Sequence, residues 1–227
     1  TMWSELVTPL TIDSRIWPRT AAIAERFWSN KNIRDVENMS KRLTVISNRL
    51  EELGITHIRN KDVILRNISK HQNIKSLINL TRICEPLKVY QRNKGGEEYK
   101  SYSPFTQFVD ACNVDAKDVI PFNNAVAEFL VNPTEKAILI AFFDKWFAND
   151  FDFQKINNNP MLGILEPLSK NLATLSSILK NGLITGELSN GNYKKALKLI
   201  QKLEEPIADT ELAIISGLKK LADNLGK

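Results

Sequence analysis

Residues 162–179 have the sequence LGILEPLSKNLATLSSIL, in which leucine recurs at steps of three and four. Residues three and four apart lie on the same side of an α-helix, so this spacing predicts a helix with one continuous apolar face. Pro167 falls near the start of that helix, where proline is tolerated. We expect the face to be buried in a core, and a coiled-coil seam for a partner is the alternative. The ladder consists of Leu162, Leu165, Leu168, Leu172, Leu175 and Leu179.

Apolar residues at helical spacing continue on both sides of this ladder. Downstream, residues 196–203 and 212–225 predict two more helices. Upstream, residues 116–131 and 138–146 predict another two, and the second is apolar over an arc wide enough to lie centrally. No fixed-length repeat accompanies these periods, so a compact helical bundle is favoured over a solenoid. The fold class is therefore mainly all-α.

The first 60 residues predict a different organisation. Residues 1–7 are typical of a short strand, the only strand that the sequence predicts, and a turn is predicted at Thr8 and Pro9. A helix follows over residues 12–30 and becomes regular only after Pro18, because proline fits a first turn but not a helix interior. A second helix begins after Asp35 as N-cap and ends at Gly54. The first of these helices is expected to bury a stripe made of Ile16, Thr20, Ile23, Ala24, Phe27 and Trp28.

Composition and charge indicate an ordinary globular protein. The chain has 227 residues, of which 43% are apolar and 25% charged, so disordered and low-complexity classes are excluded. The net charge is 31 − 26 = +5, and it does not concentrate into a clear patch. Only residues 61–104, a less regular segment with possible helices and a break at Glu85 and Pro86, are basic, and modestly so. Polyanion binding through this segment is a weak alternative, and no nucleic-acid partner is predicted. No apolar window of about 18 residues exists, so no membrane span is predicted.

Metal and cofactor sites are not predicted. Cys84 and Cys112 belong to no paired spacing that would hold zinc, and we expect two buried or half-buried thiols with no chemical role. His57 and His71 follow no spacing of ligands or of a catalytic base, so a structural or solvated role is expected.

Trp3 and Glu5 are the one pair of residues whose side chains and spacing could indicate a binding site. In an extended strand, residues two apart share a face, so the indole and the carboxylate would lie side by side. The apolar face of a sugar packs on an aromatic ring, and a carboxylate accepts hydrogen bonds from sugar hydroxyls. The spacing alone is also a common strand pattern, so by itself it is only a weak indication of a sugar site.

The sequence around these two residues resembles glycoside hydrolase family 20, the β-N-acetylhexosaminidases. Residues 2–9 (MWSELVTP) and 12–29 (IDSRIWPRTAAIAERFWS) are similar to the end of that family's catalytic barrel, and the similarity continues to about residue 60. The resemblance implies that the Trp-x-Glu segment is the eighth strand of a (β/α)8 barrel. It further implies that Trp3 forms part of the wall against which a terminal N-acetylhexosamine stacks, and that Glu5 binds the outer hydroxyls of that sugar.

The other residues of the shared motif are expected to have packing and ion-pair roles on the last barrel helix. They are Arg15, Trp17, Arg19, Glu25, Arg26 and Trp28.

The resemblance also implies what this chain lacks. The family works by substrate-assisted retention with an adjacent Asp-Glu pair on the fourth strand, upstream of the Trp-x-Glu strand. Residues 93–98 (NKGGEE) have neither the Asp nor the position of that pair, and we interpret them as a turn. No catalytic residue, metal or cofactor is therefore assigned. The chain is expected to need the missing N-terminal barrel of the same protein as its partner, because one strand cannot close a barrel.

These inferences divide the chain into residues 1–60, the end of a barrel, and residues 61–227, a helical C-terminal domain like those of some bacterial family members. The substrate would be a glycan with a terminal N-acetylhexosamine, bound through the complete barrel. An extracytoplasmic location is implied by the family. The alternative hypothesis is a non-catalytic helical module that binds or stabilises another protein, and an exposed apolar stripe on a leucine ladder would favour it.

Overall fold

The computed structural model describes residues 7–88 and 107–226, and this part of the chain is mostly helical. Two short strands accompany the helices. The helices are α1 (Ile12–Ile16), α2 (Arg19–Trp28), α3 (Val36–Glu52), α4 (Arg59–Ile68), α5 (Lys75–Thr81), α6 (Phe108–Ala111), α7 (Val119–Val131), α8 (Ala137–Ile156), α9 (Pro160–Gly163), α10 (Glu166–Thr185), α11 (Asn190–Glu204) and α12 (Ile215–Leu225). The strands are β1 (Cys84–Pro86) and β2 (Thr210–Leu212).

The predicted helical bundle is confirmed, with α10 at its centre. Helix α10 packs along α8 and also contacts α11 and α12. All six leucines of the ladder are buried in one continuous core, so the ladder is a core face and not an exposed seam. None of the helices in the described ranges is both long and apolar enough to cross a membrane.

A cluster of aromatic rings joins α8 to α7 inside the bundle. Phe122, Phe143 and Trp146 are almost completely excluded from solvent. The ring centroids of Phe122 and Trp146 are 5.1 Å apart, and those of Phe143 and Trp146 are 5.8 Å apart. Such tilted and edge-to-face pairs are favoured arrangements of aromatic rings. The wide apolar arc of α8 thus places it in the interior, as its sequence predicts.

The bundle also contains a two-stranded antiparallel sheet, which the sequence does not predict. Strand β1 lies at the predicted break, and Cys84 and Glu85 pair with Leu212 and Glu211 of β2. Three residues are too few to show the alternation that marks a strand, and the partner strand lies far away in the sequence. The pairing therefore depends on tertiary structure that only the folded chain supplies.

The N-terminal helices α1 to α3 contain no buried residue, so the predicted burial of the first helix's stripe is wrong for the described chain. Phe27 is 82% exposed and Trp28 is 91% exposed. No described element packs on this side of α2. The predicted helix is also divided, because the residue before Pro18 is extended, as the proline ring requires.

Other local predictions for this region are confirmed. The Asp35 carboxylate caps α3 by accepting a hydrogen bond from the Asn38 backbone N–H at 2.9 Å. Gly54 ends this helix region with φ of +94°, a conformation that favours glycine. A turn follows Thr8, whose carbonyl accepts from the Thr11 N–H at 2.9 Å. The predicted strand itself lies almost entirely in residues 1–6, outside the described residues.

Candidate functional site

The two predicted sugar-binding residues, Trp3 and Glu5, lie outside the described residues. Residues 93–98, which we interpret as a turn and not as a catalytic Asp-Glu pair, also lie outside the described residues. The structure therefore describes the chain that immediately follows the predicted site, and the contacts that fix its position on the bundle.

A partly buried network ties this following segment to the start of α4. The Asp13 Oδ2 accepts hydrogen bonds from the Thr56 N–H at 2.7 Å and the Thr56 hydroxyl at 2.8 Å. The Asn60 amide donates to the Leu10 carbonyl at 3.1 Å and to the Thr56 hydroxyl at 2.7 Å. The bonds from Thr56 hold the pKa of the Asp13 carboxyl below its usual value. We call Leu10, Asp13, Thr56 and Asn60 the Asp13 anchor.

Two ion pairs connect the same segment to the region around α6. Arg15 binds the buried carboxylate of Asp110 at 3.1 Å, and Arg19 binds Asp115 at 2.8 Å. The second pair is largely exposed and contributes little to stability. The ion-pair roles expected for both arginines are confirmed, and they bridge parts of the chain that are far apart in sequence.

Helices α2 and α3 are joined by further contacts of the motif residues. Glu25 binds Arg42 at 2.5 Å, and Arg26 donates to the backbone carbonyls of Lys31 and Ile33. The expected ion-pair role is confirmed for Glu25. Arg26 instead donates hydrogen bonds to the backbone of the loop between α2 and α3. Trp28 does not pack in the described chain, since nothing described covers it.

An open cleft of about 370 Å³ lies between α2 and α3. Its two carboxylates are already engaged, because Glu25 binds Arg42 and Asp35 caps α3. The cleft therefore does not offer an acid and base pair for glycoside hydrolysis. The remaining lining residues are Ala22, Arg26, Ser29, Ile33, Arg34, Val36 and Met39.

His57 has the structural role that its lack of ligand spacing predicts. It is 3% exposed, and its Nε2 lies 2.6 Å from the Ser47 hydroxyl. Its Nδ1 lies 3.4 Å from the Glu51 carboxylate. Burial lowers the pKa of His57 despite that neighbouring carboxylate, so the ring is neutral at pH 7. Within residues 7–88 and 107–226, no group of three or more His, Cys, Asp or Glu side chains gathers as a metal site.

This environment predicts a loss of stability below about pH 6.5. The unfolded chain binds a proton at His57 near pH 6.5, whereas the folded chain binds it only at lower pH. Urea unfolding should therefore show a loss of stability attributable to His57 as the pH falls from 7.5 to 5.5. The His57→Asn variant should lose this pH-dependent component, while the exposed His71→Asn variant should retain it. Identical pH profiles for all three proteins would contradict the prediction.

Burial also shifts the pKa values of the two cysteines and of one lysine. Cys84 and Cys112 are free, buried thiols, and burial raises the pKa of Cys84 to about 12. Both are therefore poor nucleophiles, in line with the inert role expected for them. The sequence gives no signal for Lys61, whose pKa burial and the nearby Lys117 lower to about 8.

The N-terminal residues are similar to those of one family of known proteins. The family model of the glycosyl hydrolase family 20 catalytic domain matches residues 1–31. The human beta-hexosaminidase subunit beta is 41% identical over 54 residues, which are 24% of this chain and 10% of that protein. The Bombyx mori chitooligosaccharidolytic beta-N-acetylglucosaminidase is 41% identical over 56 residues, 24% of this chain and 9% of that protein. The chain spans about a tenth of these curated relatives.

A solved structure extends the similarity to the helical bundle. The Flavobacterium johnsoniae chitobiase matches 98% of this chain with a TM-score of 0.91 and 51% sequence identity. The match covers 34% of the chitobiase chain, so this chain spans about a third of that relative. Both the N-terminal helices and the bundle therefore have a counterpart in one enzyme. The chain is thus similar to family 20 glycoside hydrolases in its N-terminal residues and to one chitobiase over nearly its whole length.

Proposed function

We propose that this chain is the C-terminal part of an exo-acting β-N-acetylhexosaminidase, which releases terminal N-acetylglucosamine or N-acetylgalactosamine from glycans. The observation that carries the proposal is the similarity of 98% of the chain to a chitobiase at 51% identity. The reaction would be the substrate-assisted retention of family 20, in which the acetamido oxygen of the substrate attacks the anomeric carbon. It needs neither a metal nor a cofactor.

Residues 1–60 would complete a catalytic barrel whose other strands precede them, and residues 61–227 would form the helical domain. The distribution of buried residues supports this division. Helices α1 to α3 bury no residue, whereas the continuous core of the bundle begins at Ile64. The exposed apolar side chains of α2 and α3 would then pack against the rest of the barrel, since large exposed apolar surfaces mark contacts with other protein. They include Ile23, Phe27, Trp28, Val36 and Leu53.

Trp3 and Glu5 would be the substrate contacts that this chain contributes. Trp3 would provide a ring for the sugar to stack on, and Glu5 would accept hydrogen bonds from its hydroxyls. The Asp13 anchor supports these roles, because it fixes the backbone a few residues beyond them to α4. The general acid and the residue that orients the acetamido group would come from the preceding barrel strands, so this chain alone would be inactive.

The proposal is tested with a chromogenic N-acetylglucosaminide and two polypeptides. The 227-residue chain should show no turnover, and a longer polypeptide that includes the preceding barrel should hydrolyse the substrate. Turnover by the 227-residue chain that is abolished by substitution of Glu97 or Glu98 would refute the proposal.

Substitutions in the longer polypeptide test the two site residues. Trp3→Ala and Glu5→Gln should each lower kcat/KM by about ten- to a hundredfold, the usual size of a lost charged hydrogen bond or an equivalent contact. Glu37→Gln is the control, because Glu37 is exposed and binds only Lys41 on its own helix. Unchanged kinetics in the Trp3 and Glu5 variants would remove both residues from the site.

The structure does not favour the alternative of a non-catalytic interaction module built on a leucine ladder. That hypothesis needs an exposed apolar stripe on the ladder. Leu168, Leu172 and Leu175 are at most 3% exposed, and the other three ladder leucines are equally buried.

A further inference from the structure

Helix α11 carries four exposed lysines that have no ion pair with any described residue. They are Lys194, Lys195, Lys198 and Lys202, and the stretch from residue 188 to 203 contains no Asp or Glu. The nearest acid along the helix, Glu204, is already bound to Lys219 at 2.6 Å. From Lys194 to Lys202, the charged side chains that α11 exposes to solvent are therefore all positive.

The geometry of the helix gathers these lysines on one side. At 3.6 residues per turn, the four positions fall within an arc of about 100°. The opposite side of α11 is held in the core by four buried residues, so the helix cannot turn its lysines inward. We call the four lysines the lysine face of α11. The buried residues are Ala196, Leu199, Ile200 and Leu203.

Repulsion makes this arrangement unfavourable for the isolated chain. Lys194 and Lys198, and again Lys198 and Lys202, are four residues apart, a spacing at which like charges destabilise a helix. Several lysines on other described helices are paired with acids, whereas none of the four on α11 is paired with a described acid. Examples are Lys41 with Glu37, Lys155 with Asp152 and Lys180 with Asp144. The lysine face thus has no counter-charge among residues 7–88 and 107–226, and it is suited to one from outside the chain.

We propose that the lysine face of α11 docks on an anionic phospholipid surface. Clusters of four or more basic residues on an amphipathic helix bind such surfaces, where phosphate groups are mobile enough to meet lysine side chains at any spacing. The face consists of lysines, which act as flexible point charges, and contains none of the planar arginines suited to bidentate recognition. Leu197, 37% exposed at the edge of the face, can enter the interface between headgroups and acyl chains.

The face is less suited to a glycan or a single-stranded nucleic acid, both of which are bound by stacking on exposed aromatic rings. Tyr193 is the aromatic residue of α11, and it packs partly against the core while its hydroxyl binds Asp223 at 3.1 Å. The docking proposal stands on α11 alone and is independent of the proposed glycosidase activity.

Co-sedimentation of the 227-residue chain with vesicles tests the proposal. The chain should bind vesicles of phosphatidylglycerol and phosphatidylcholine at low salt, and should not bind vesicles of phosphatidylcholine alone. Binding should fall steeply as salt is raised, because the attraction is screened within about a Debye length.

A quadruple variant with Lys194, Lys195, Lys198 and Lys202 changed to Gln should lose affinity for the anionic vesicles. At about fivefold per lysine, the loss should exceed about a hundredfold. All four side chains are exposed, so circular dichroism should show an unchanged fold. The control changes four exposed lysines elsewhere to Gln and removes the same net charge. They are Lys31, Lys75, Lys117 and Lys170, and their loss should alter binding by less than about fivefold.

Three results would overturn the proposal. The first is no binding to the anionic vesicles at low salt. The second is an equal loss in the two quadruple variants, which would indicate an effect of net charge alone. The third is binding to soluble dextran sulfate, with the same dependence on the α11 lysines, in the absence of vesicle binding. That result would assign the face to an anionic polysaccharide.

Discussion

Changing Phe143 to Ala is expected to lower the free energy of unfolding by about 3–5 kcal/mol. The Phe143 ring is fully buried and lies 6.2 Å from the ring of Phe122 and 5.8 Å from that of Trp146. Its removal would leave a cavity between α7 and α8, where close-packed rings cannot collapse to fill the space. Urea or guanidinium unfolding of the 227-residue chain, followed by circular dichroism, measures the loss.

Phe147, one turn further along α8, supplies a matched control. It is the same residue type on the same helix, but it is 57% exposed. Phe147→Ala should therefore cost less than about 1 kcal/mol, the range of ordinary surface substitutions. If the two variants lost equal stability, the interior placement of the Phe143 side of α8 would be wrong.

Changing Asp118 to Asn is expected to cost about 2–3 kcal/mol, the size of hydrogen bonds to a buried charged group. The Asp118 side chain is 4% exposed, and its Oδ1 accepts from the Arg82 Nε at 2.8 Å. Its other oxygen binds Lys145 of α8. Burial opposes ionisation of this carboxyl, but the hydrogen bonds from Arg82 and Lys145 outweigh it and hold its pKa below the usual value.

The pH dependence of this cost follows from that lowered pKa. A carboxyl with a depressed pKa stabilises the folded state above about pH 4, and the contribution is lost as pH falls through the folded pKa. The difference between the wild-type chain and Asp118→Asn should therefore persist from pH 7 to about pH 4 and shrink below it. Asp144→Asn is the control, because Asp144 is 53% exposed and its bond to Lys180 should be worth less than about 1 kcal/mol. Equal costs for the two variants at pH 7 would contradict the prediction.

The burial of the leucine ladder and the central position of α8 could be predicted because each depends mainly on a period within one helix. The predicted helix over residues 162–179 is interrupted, however, since Leu162 lies on α9 and α10 begins only at Glu166. The ladder's period alone identifies which side of α10 needs a core, and the structure supplies that core. The wide apolar arc around Phe143 and Trp146 similarly indicates burial from more than one direction. Such features need no knowledge of where the chain goes next.

Features formed between distant parts of the chain could not be predicted. The pairing of β1 with β2 has no local pattern, and neither does the meeting of Asp118 with Arg82 and Lys145. The exposure of Phe27 and Trp28 shows a further limit of sequence patterns. An apolar stripe indicates which side of a helix favours burial, but the residues that would cover it need not be among those described.

For the candidate site, the family motif predicted more than physical chemistry alone. The indole and carboxylate of Trp3 and Glu5 suggest a sugar contact only weakly from their spacing, and they stay a prediction because they lie outside the described residues. That Arg15, Arg19 and Glu25 form ion pairs could be predicted from the family motif. The partners of the two arginines could not be predicted, because Asp110 and Asp115 lie about a hundred positions away in the sequence.

The Asp13 anchor has a consequence for exchanging domains between related enzymes. Leu10 and Asp13 precede residues 14–55, and Thr56 and Asn60 follow them. A chimera joined anywhere within residues 14–55 would therefore take two members of the anchor from each parent. A junction placed after Asn60 keeps all four members from one parent, and a junction before Leu10 keeps them from the other. Successful recombination of the helical domain should therefore be confined to crossovers outside residues 10–60.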